Sequence, residues 1–153
     1  MNKLPLLFVL VFSIVFPSFR IMNPPVNKLQ AKTFLNRSSK VIISAQNALK
    51  KGKVYTGDFV LAVRHQRWAK KQYALNNFDK AVYHSGRARA LALKAIRANK
   101  GPAPVEATLN VAERAEIGKG PSPSELDDSV SKDNSHNQKD ADLVDTPLDM
   151  MVH

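Results

Sequence analysis

The 153-residue chain contains no cysteine. A disulfide scaffold, a thiolate zinc site, a cysteine-linked lipid anchor and thiol nucleophile chemistry are therefore excluded. Carboxylates are nearly absent from the first hundred residues, which carry 19 basic and 2 acidic side chains, net +17. Residues 101 to 153 carry 4 basic and 11 acidic side chains, net −7, so the formal charge of +10 joins a basic body to an acidic end. Glycine is sparse, at 6 residues, and no glycine-rich phosphate loop is found. Nor is there a Ser-His-Asp order with a nucleophile turn, or a pair of carboxylates on a periodic element, so the sequence reads as non-enzymatic and no cofactor or metal is expected.

Long hydrophobic runs are also missing. The longest, Leu4 to Phe16, is interrupted only by Pro5 and Ser13 and falls short of the roughly 20 residues a spanning helix needs. With Lys3 before it and Pro17-Ser18 after it, this run has the proportions of a secretion signal, and residues 1–22 are read as a signal peptide. No small-x-small cleavage site follows, and Arg20, Lys28 and Lys32 lie just beyond, which keeps an uncleaved signal anchor as the alternative. The first reading gives a secreted or periplasmic protein, the second one held at a membrane.

The segment 26–117 reads as four helices, over about 27–51, 58–76, 78–99 and 104–117. In the first, Ala31, Leu35, Ser38, Ile42, Ala45 and Leu49 recur at spacings of three and four, flanked by Phe34, Val41 and Ala48. Gly52 closes it among Lys50, Lys51 and Lys53. Thr56 or Asp58 is positioned to cap the second, whose Phe59, Ala62, Val63, Gln66, Ala69 and Tyr73 share one side. Asn77 is positioned to cap the third, where Phe78, Ala81, Val82, Ser85, Ala88, Ala92, Ala95 and Ile96 follow the helical period. Only Asn76-Asn77 separates these two helices, which forces them into an antiparallel hairpin whose shared face is alanine-rich and includes Ser85 and Gly86, so that the two backbones are expected to approach closely. In the fourth, Pro104 stands in the first turn and Val105, Leu109 and Ala112 form the stripe.

Residues 118–153 carry 8 acidic and 3 basic side chains, no aromatic residue, and ten of Gly, Pro or Ser. This composition reads as a disordered acidic tail. The expected fold is all-α: a small antiparallel bundle of three to four helices built on the central hairpin.

The hairpin stretch Ala69-Lys-Lys-Gln-Tyr73-Ala-Leu-Asn-Asn77-Phe78-Asp-Lys-Ala81-Val-Tyr83-His-Ser-Gly-Arg-Ala88 resembles a single copy of the 34-residue tetratricopeptide unit, in which a polar turn precedes an aromatic and then small residues at packing positions. Phe78, Ala81 and Ala88 carry the likeness, which implies a protein-binding helical scaffold, and the expected function is that of a protein-interaction module acting through the hairpin groove and a basic face.

Candidate binding residues are basic. Arg64, Arg67 and Lys71 lie on the outer face of the second helix, and Lys80, Arg87 and Lys94 recur at heptad spacing on the third. Such a row attracts a protein partner's acids, anionic lipid or another polyanion. Nucleic acid is not expected, since no recognition motif accompanies the row, although Trp68 and Tyr83 offer stacking surfaces near it. The plain alternative is a solvated helix face. The acidic tail is itself a potential intramolecular partner for the same row. Arg89 falls about 20° from Phe78, inside the apolar stripe, at 100° per residue. It must form a buried ion pair, with Asp58, Glu106 or Glu113 as candidates, or else stand free for anion capture. His65 and His84 read as packing histidines, out of register around the turn and short of the further ligands a metal needs.

Overall fold

A computed structural model describes residues 25–131 and 138–153, so the expected export segment, residues 1–22, lies outside the described residues. The described chain is all-α: α1 (Lys28–Gly52), α2 (Asp58–Ala74), α3 (Phe78–Ala98), a 3-10 turn at Val105–Ala107, α4 (Val111–Ile117), α5 (Pro123–Ser131) and α6 (Asp140–Val144).

The central hairpin is made by α2 and α3. Its corner is set by hydrogen bonds from the Asn77 amide to the Gln72 carbonyl (2.9 Å) and from the Asn76 amide to the Tyr73 carbonyl (3.0 Å). Asn76 takes the left-handed conformation (φ 59°) that this closure requires, which asparagine tolerates better than most residues. Tyr73 and Phe78 then meet across the corner, ring centres 5.6 Å apart. Asn77 sits at the α3 N-cap as expected but makes no side-chain cap; its amide instead donates to Gln72 Oε1 at 3.0 Å. α1, capped by a reciprocal Asn27–Gln30 box, packs against both hairpin helices and fills their shared face. Every stripe residue expected on α1 and α2 is buried, and on α3 only Phe78 is left half-buried.

The core is divided. One apolar cluster gathers Ile42, Leu49, Phe59, Val63, Leu91 and Ile96; a second gathers Phe34, Leu35, Ala69, Tyr73, Ala81 and Val82. Between them lies a buried polar layer in which Gln66 Nε2 donates to the Leu35 carbonyl and to Ser39 Oγ, both at 3.0 Å, and Ser85 Oγ donates to Gln66 Oε1 at 2.9 Å. Each polar group is satisfied, and the layer fixes how the three long helices are aligned along their axes.

Two expectations are corrected. The fourth helix does not run over 104–117. Pro104 is extended, Val105 and Ala112 are exposed, and a new helix starts at Asn110, whose side chain and Glu113 cap each other reciprocally. The Asn110 box outcompetes a continuous helix because it satisfies amides that the preceding segment leaves open. α4 is seated where Gly86 lies: a Cβ there would come within 2.6 Å of Ile117 Cδ1, so this glycine admits α4 and not the close approach of α2 that the sequence suggested.

The acidic end is the larger correction. Its described parts are ordered, and Leu126, Val130, Leu143, Val144, Met150 and Val152 are buried. Met150 and Val152 are also held through their backbones: Ser39 Oγ donates to the Met150 carbonyl (2.6 Å), and Asn36 exchanges two hydrogen bonds with Val152 (2.7 and 3.0 Å). Composition hid this because the apolar residues are few and spaced for docking on a preformed surface, not for a core of their own. The described chain thus has six α-helices where three to four were expected.

Candidate functional site: a carboxylate-latched basic face

Arg87 stands on the outward side of α3, and His65 lies opposite on α2, fully buried. Both converge on Asp127 of α5. Arg87 Nε and Nη2 donate to the two carboxylate oxygens at 2.8 and 2.6 Å, a planar bidentate pair, while His65 Nε2 meets Asp127 Oδ1 at 2.9 Å. The Arg87 hydrogen bonds, together with His65, hold the Asp127 carboxyl below its usual range.

The histidines expected to be apart touch. His65 Nδ1 and His84 Nδ1 are 3.1 Å apart, and Trp68 meets the His84 ring edge-on at 6.0 Å. The four-residue offset around the corner is about one helical turn, which two imidazole side chains reaching toward each other bridge. Burial lowers both pKa values to about 4, the Asp127 carboxylate opposing the shift at His65 and the neighbouring His65 and Lys80 adding to it at His84. Both rings are therefore neutral at pH 7. In the neutral pair, His65 donates Nε2–H to the ionised carboxylate, so its Nδ1 must accept from His84 Nδ1–H.

The acidic end makes further contacts with the same side of the hairpin. Asp149 accepts from Lys70 at 3.1 Å, Gln138 Oε1 meets Arg67 at 3.4 Å, and the Gln138 carbonyl meets Arg64 at 3.5 Å. Asp140, 2% exposed, accepts from the Gly57 amide at 2.7 Å and from the Val60 amide at 2.8 Å. It caps α2 from 80 residues away. Neither Thr56 nor Asp58 does so; their side chains bond to each other at 2.8 Å. A carboxylate at that point also faces the positive end of the helix dipole.

Of the six cations expected to form a binding row, the structure places Arg87 on Asp127 and brings Arg64 and Arg67 to Gln138. Lys71 lies over Trp68, 5.0 Å from the ring centre, and Lys80 and Lys94 are exposed. Trp68 is thereby committed to His84 and Lys71, and Tyr83 lies against Gly120.

Arg89, 2% exposed, has its partner in Glu113. Nη1 and Nη2 reach the two carboxylate oxygens at 3.1 and 3.4 Å, Nε donates to Ser38 Oγ, Nη2 donates to the Phe34 carbonyl, and the guanidinium lies 4.3 Å from the Phe34 ring centre. Arg37 meets the same carboxylate at 2.6 Å. Burial pulls the Arg89 pKa below its usual range, and Glu113 opposes that shift. These contacts occupy the guanidinium and attach α4 to α1 and α3. Arg89 and His65 thus engage different carboxylates. Among the described residues no group of three or more His, Asp or Glu is arranged to hold a metal ion, and no helix is long and apolar enough to cross a membrane.

With α1 filling the hairpin's shared face, the open groove is elsewhere. It measures about 600 Å³ and lies between the start of α1 and α4, floored by Val26, Leu29, Phe34, Val82, Ala112 and Ala115. Comparison with protein-family models, curated proteins and solved structures finds no match to this chain.

Proposed function

We propose that this protein is a non-enzymatic binding module whose basic α2–α3 face takes an acidic, amphipathic segment of a partner protein, and that its own acidic end occupies that face until displaced. The observation that carries the reading is Asp127, a carboxylate on a short helix held at once by a bidentate arginine and a buried histidine. Around it, Leu126 and Val130 supply the apolar contacts and Lys70 takes a second acid. The chain's own tail thereby displays the chemistry the face recognises: one apolar side and spaced carboxylates. Tethering gives such a segment a millimolar-scale effective concentration, so a partner must bind well or arrive at high local concentration to replace it. The tetratricopeptide-like hairpin and export through residues 1–22 belong to the same proposal; the first rests on the order of residue types around Asn76-Asn77, the second on the apolar run of the first 22 residues.

A fluorescently labelled peptide with the sequence of residues 121–131 tests it. The peptide should bind the full chain carrying Asp127→Asn and Asp149→Asn at least tenfold more tightly than the unaltered chain, with affinity falling as salt rises. The same peptide bearing asparagine in place of Asp127 should not bind. Equal or absent binding in both chains, with the circular dichroism unchanged, rejects a displaceable latch.

A further inference from the structure

We propose that the end of the bundle formed by the C-termini of α1 and α3 docks onto an anionic phospholipid surface. This end lies apart from the latched face. α1 and α3 run parallel, and Asn99, just past α3, grips the loop after α1: its side chain accepts from the Val54 amide at 2.8 Å and donates to the Val54 carbonyl at 2.9 Å. Gly52 permits the grip, since a Cβ there would come within 2.4 Å of the Asn99 side chain.

The clamp brings Lys50, Lys51, Lys53, Lys94, Arg97 and Lys100 to one exposed end. Among the described residues Lys51, Lys53, Lys94, Arg97 and Lys100 form no ion pair, and Lys50 reaches only Asp145, at 3.9 Å. The other acids toward this end are Asp140, buried as the α2 cap, Asp58, bonded to Thr56, and Asp142, which accepts from the Lys139 amide at 2.8 Å. Beside these cations the clamped loop presents Val54 and Tyr55, 45% and 47% exposed. An aromatic and an aliphatic tip beside lysine and arginine matches the layering of a bilayer surface, where anionic head groups overlie the acyl boundary.

Backbone geometry at two of the lysines gives an independent indication. Lys53 (φ 56°), directly after α1, and Lys100 (φ 53°), one residue past the α3 cap Asn99, both sit in the left-handed region at a helix end, where glycine is the usual occupant. Helix-end electrostatics is already served by Lys50, Lys51 and Arg97 in the last turns. The fold thus keeps a cation at two positions that cost it backbone strain, both at this end. A lipid surface is favoured over a free polyanion because the loop tip is apolar and fixed.

The experiment is co-sedimentation of the full chain with vesicles of phosphatidylcholine alone and of phosphatidylcholine with roughly one-third phosphatidylserine. Differences between variants of one chain cancel any contribution from residues 1–24. Lys53→Gly with Lys100→Gly relieves strain, so the thermal midpoint should stay or rise while affinity for the anionic vesicles falls about twenty-five-fold, from roughly fivefold per cation. Arginine at both positions should retain binding. Tyr55→Ser should lose a further several-fold. Unchanged binding by the double glycine variant, equal binding to the neutral vesicles, or capture of heparin without capture of anionic vesicles overturns the proposal.

Discussion

Acidification should release the stability stored at the His65–His84 pair, and the size of the effect follows from its burial. An unfolded histidine titrates near 6.5, and each of these rings does so near 4 in the folded chain. A folded pKa that is depressed means the unfolded state takes up protons first, so stability is fully present above about 6.5 and is lost as pH falls toward 4. At pH 5 each ring has given up about 2 kcal/mol by this linkage, and the pair of the order of 4 kcal/mol, a large share of a small domain's total. Geometry reinforces the sign. The facing nitrogens, 3.1 Å apart, cannot both carry a proton without setting two N–H groups against each other. Asp127 does not confuse the window, because its depressed pKa costs stability only below the usual carboxylate range near 4. Urea unfolding followed by Trp68 fluorescence at pH 7.5 and 5.0 measures the loss. Asparagine at position 84 places an amide near the Nδ1 position and removes one titration, and should roughly halve the pH dependence. A midpoint that does not move between pH 7.5 and 5.0, or a slope that survives in the variant lacking both imidazoles, refutes the reasoning. Hydrogen exchange should also rise first in α5, which His65 helps to hold.

Glu113→Gln leaves Arg89 buried without a countercharge and should cost about 3–5 kcal/mol in chemical denaturation, whereas Arg89→Met combined with Glu113→Leu should recover most of the loss. Asp140→Ala removes the distant cap of α2 and should cost about 1–2 kcal/mol, with faster amide exchange at Gly57 and Val60 as the local readout.

The periodicity of α1, α2 and α3 was legible because three long helices each bury one stripe, and that stripe repeats in sequence whatever it packs against. Gln66 and Ser85 were even placed on the buried side, where they form part of the polar layer, and Ser38, placed there too, accepts from Arg89 Nε. Arg89 was legible as a buried charge needing an acid, but the choice among Asp58, Glu106 and Glu113 waited for α4 to be seated by Gly86 and Ile117. Asp127 and Asp140 carried no local signal at all. Their partners lie 40 and 62 residues away for Asp127 and 80 and 83 for Asp140, and a carboxylate among Ser, Asp and Lys reads as solvated. The one available hint, the opposite charge of the two ends, suggested contact without naming a residue.

Local pattern by itself determined the helical class, the three long rods, the corner at Asn76-Asn77 and the separation of charge along the chain. Each of these depends on neighbours within a few turns. Tertiary structure alone decided that the acidic end is ordered, that it caps α2 and grips Arg87, and that lysines from two helices meet at one end. Those outcomes depend on a surface that exists only once the hairpin and α1 have packed, since a few spaced apolar residues and lone carboxylates gain nothing from one another until that surface is there to receive them.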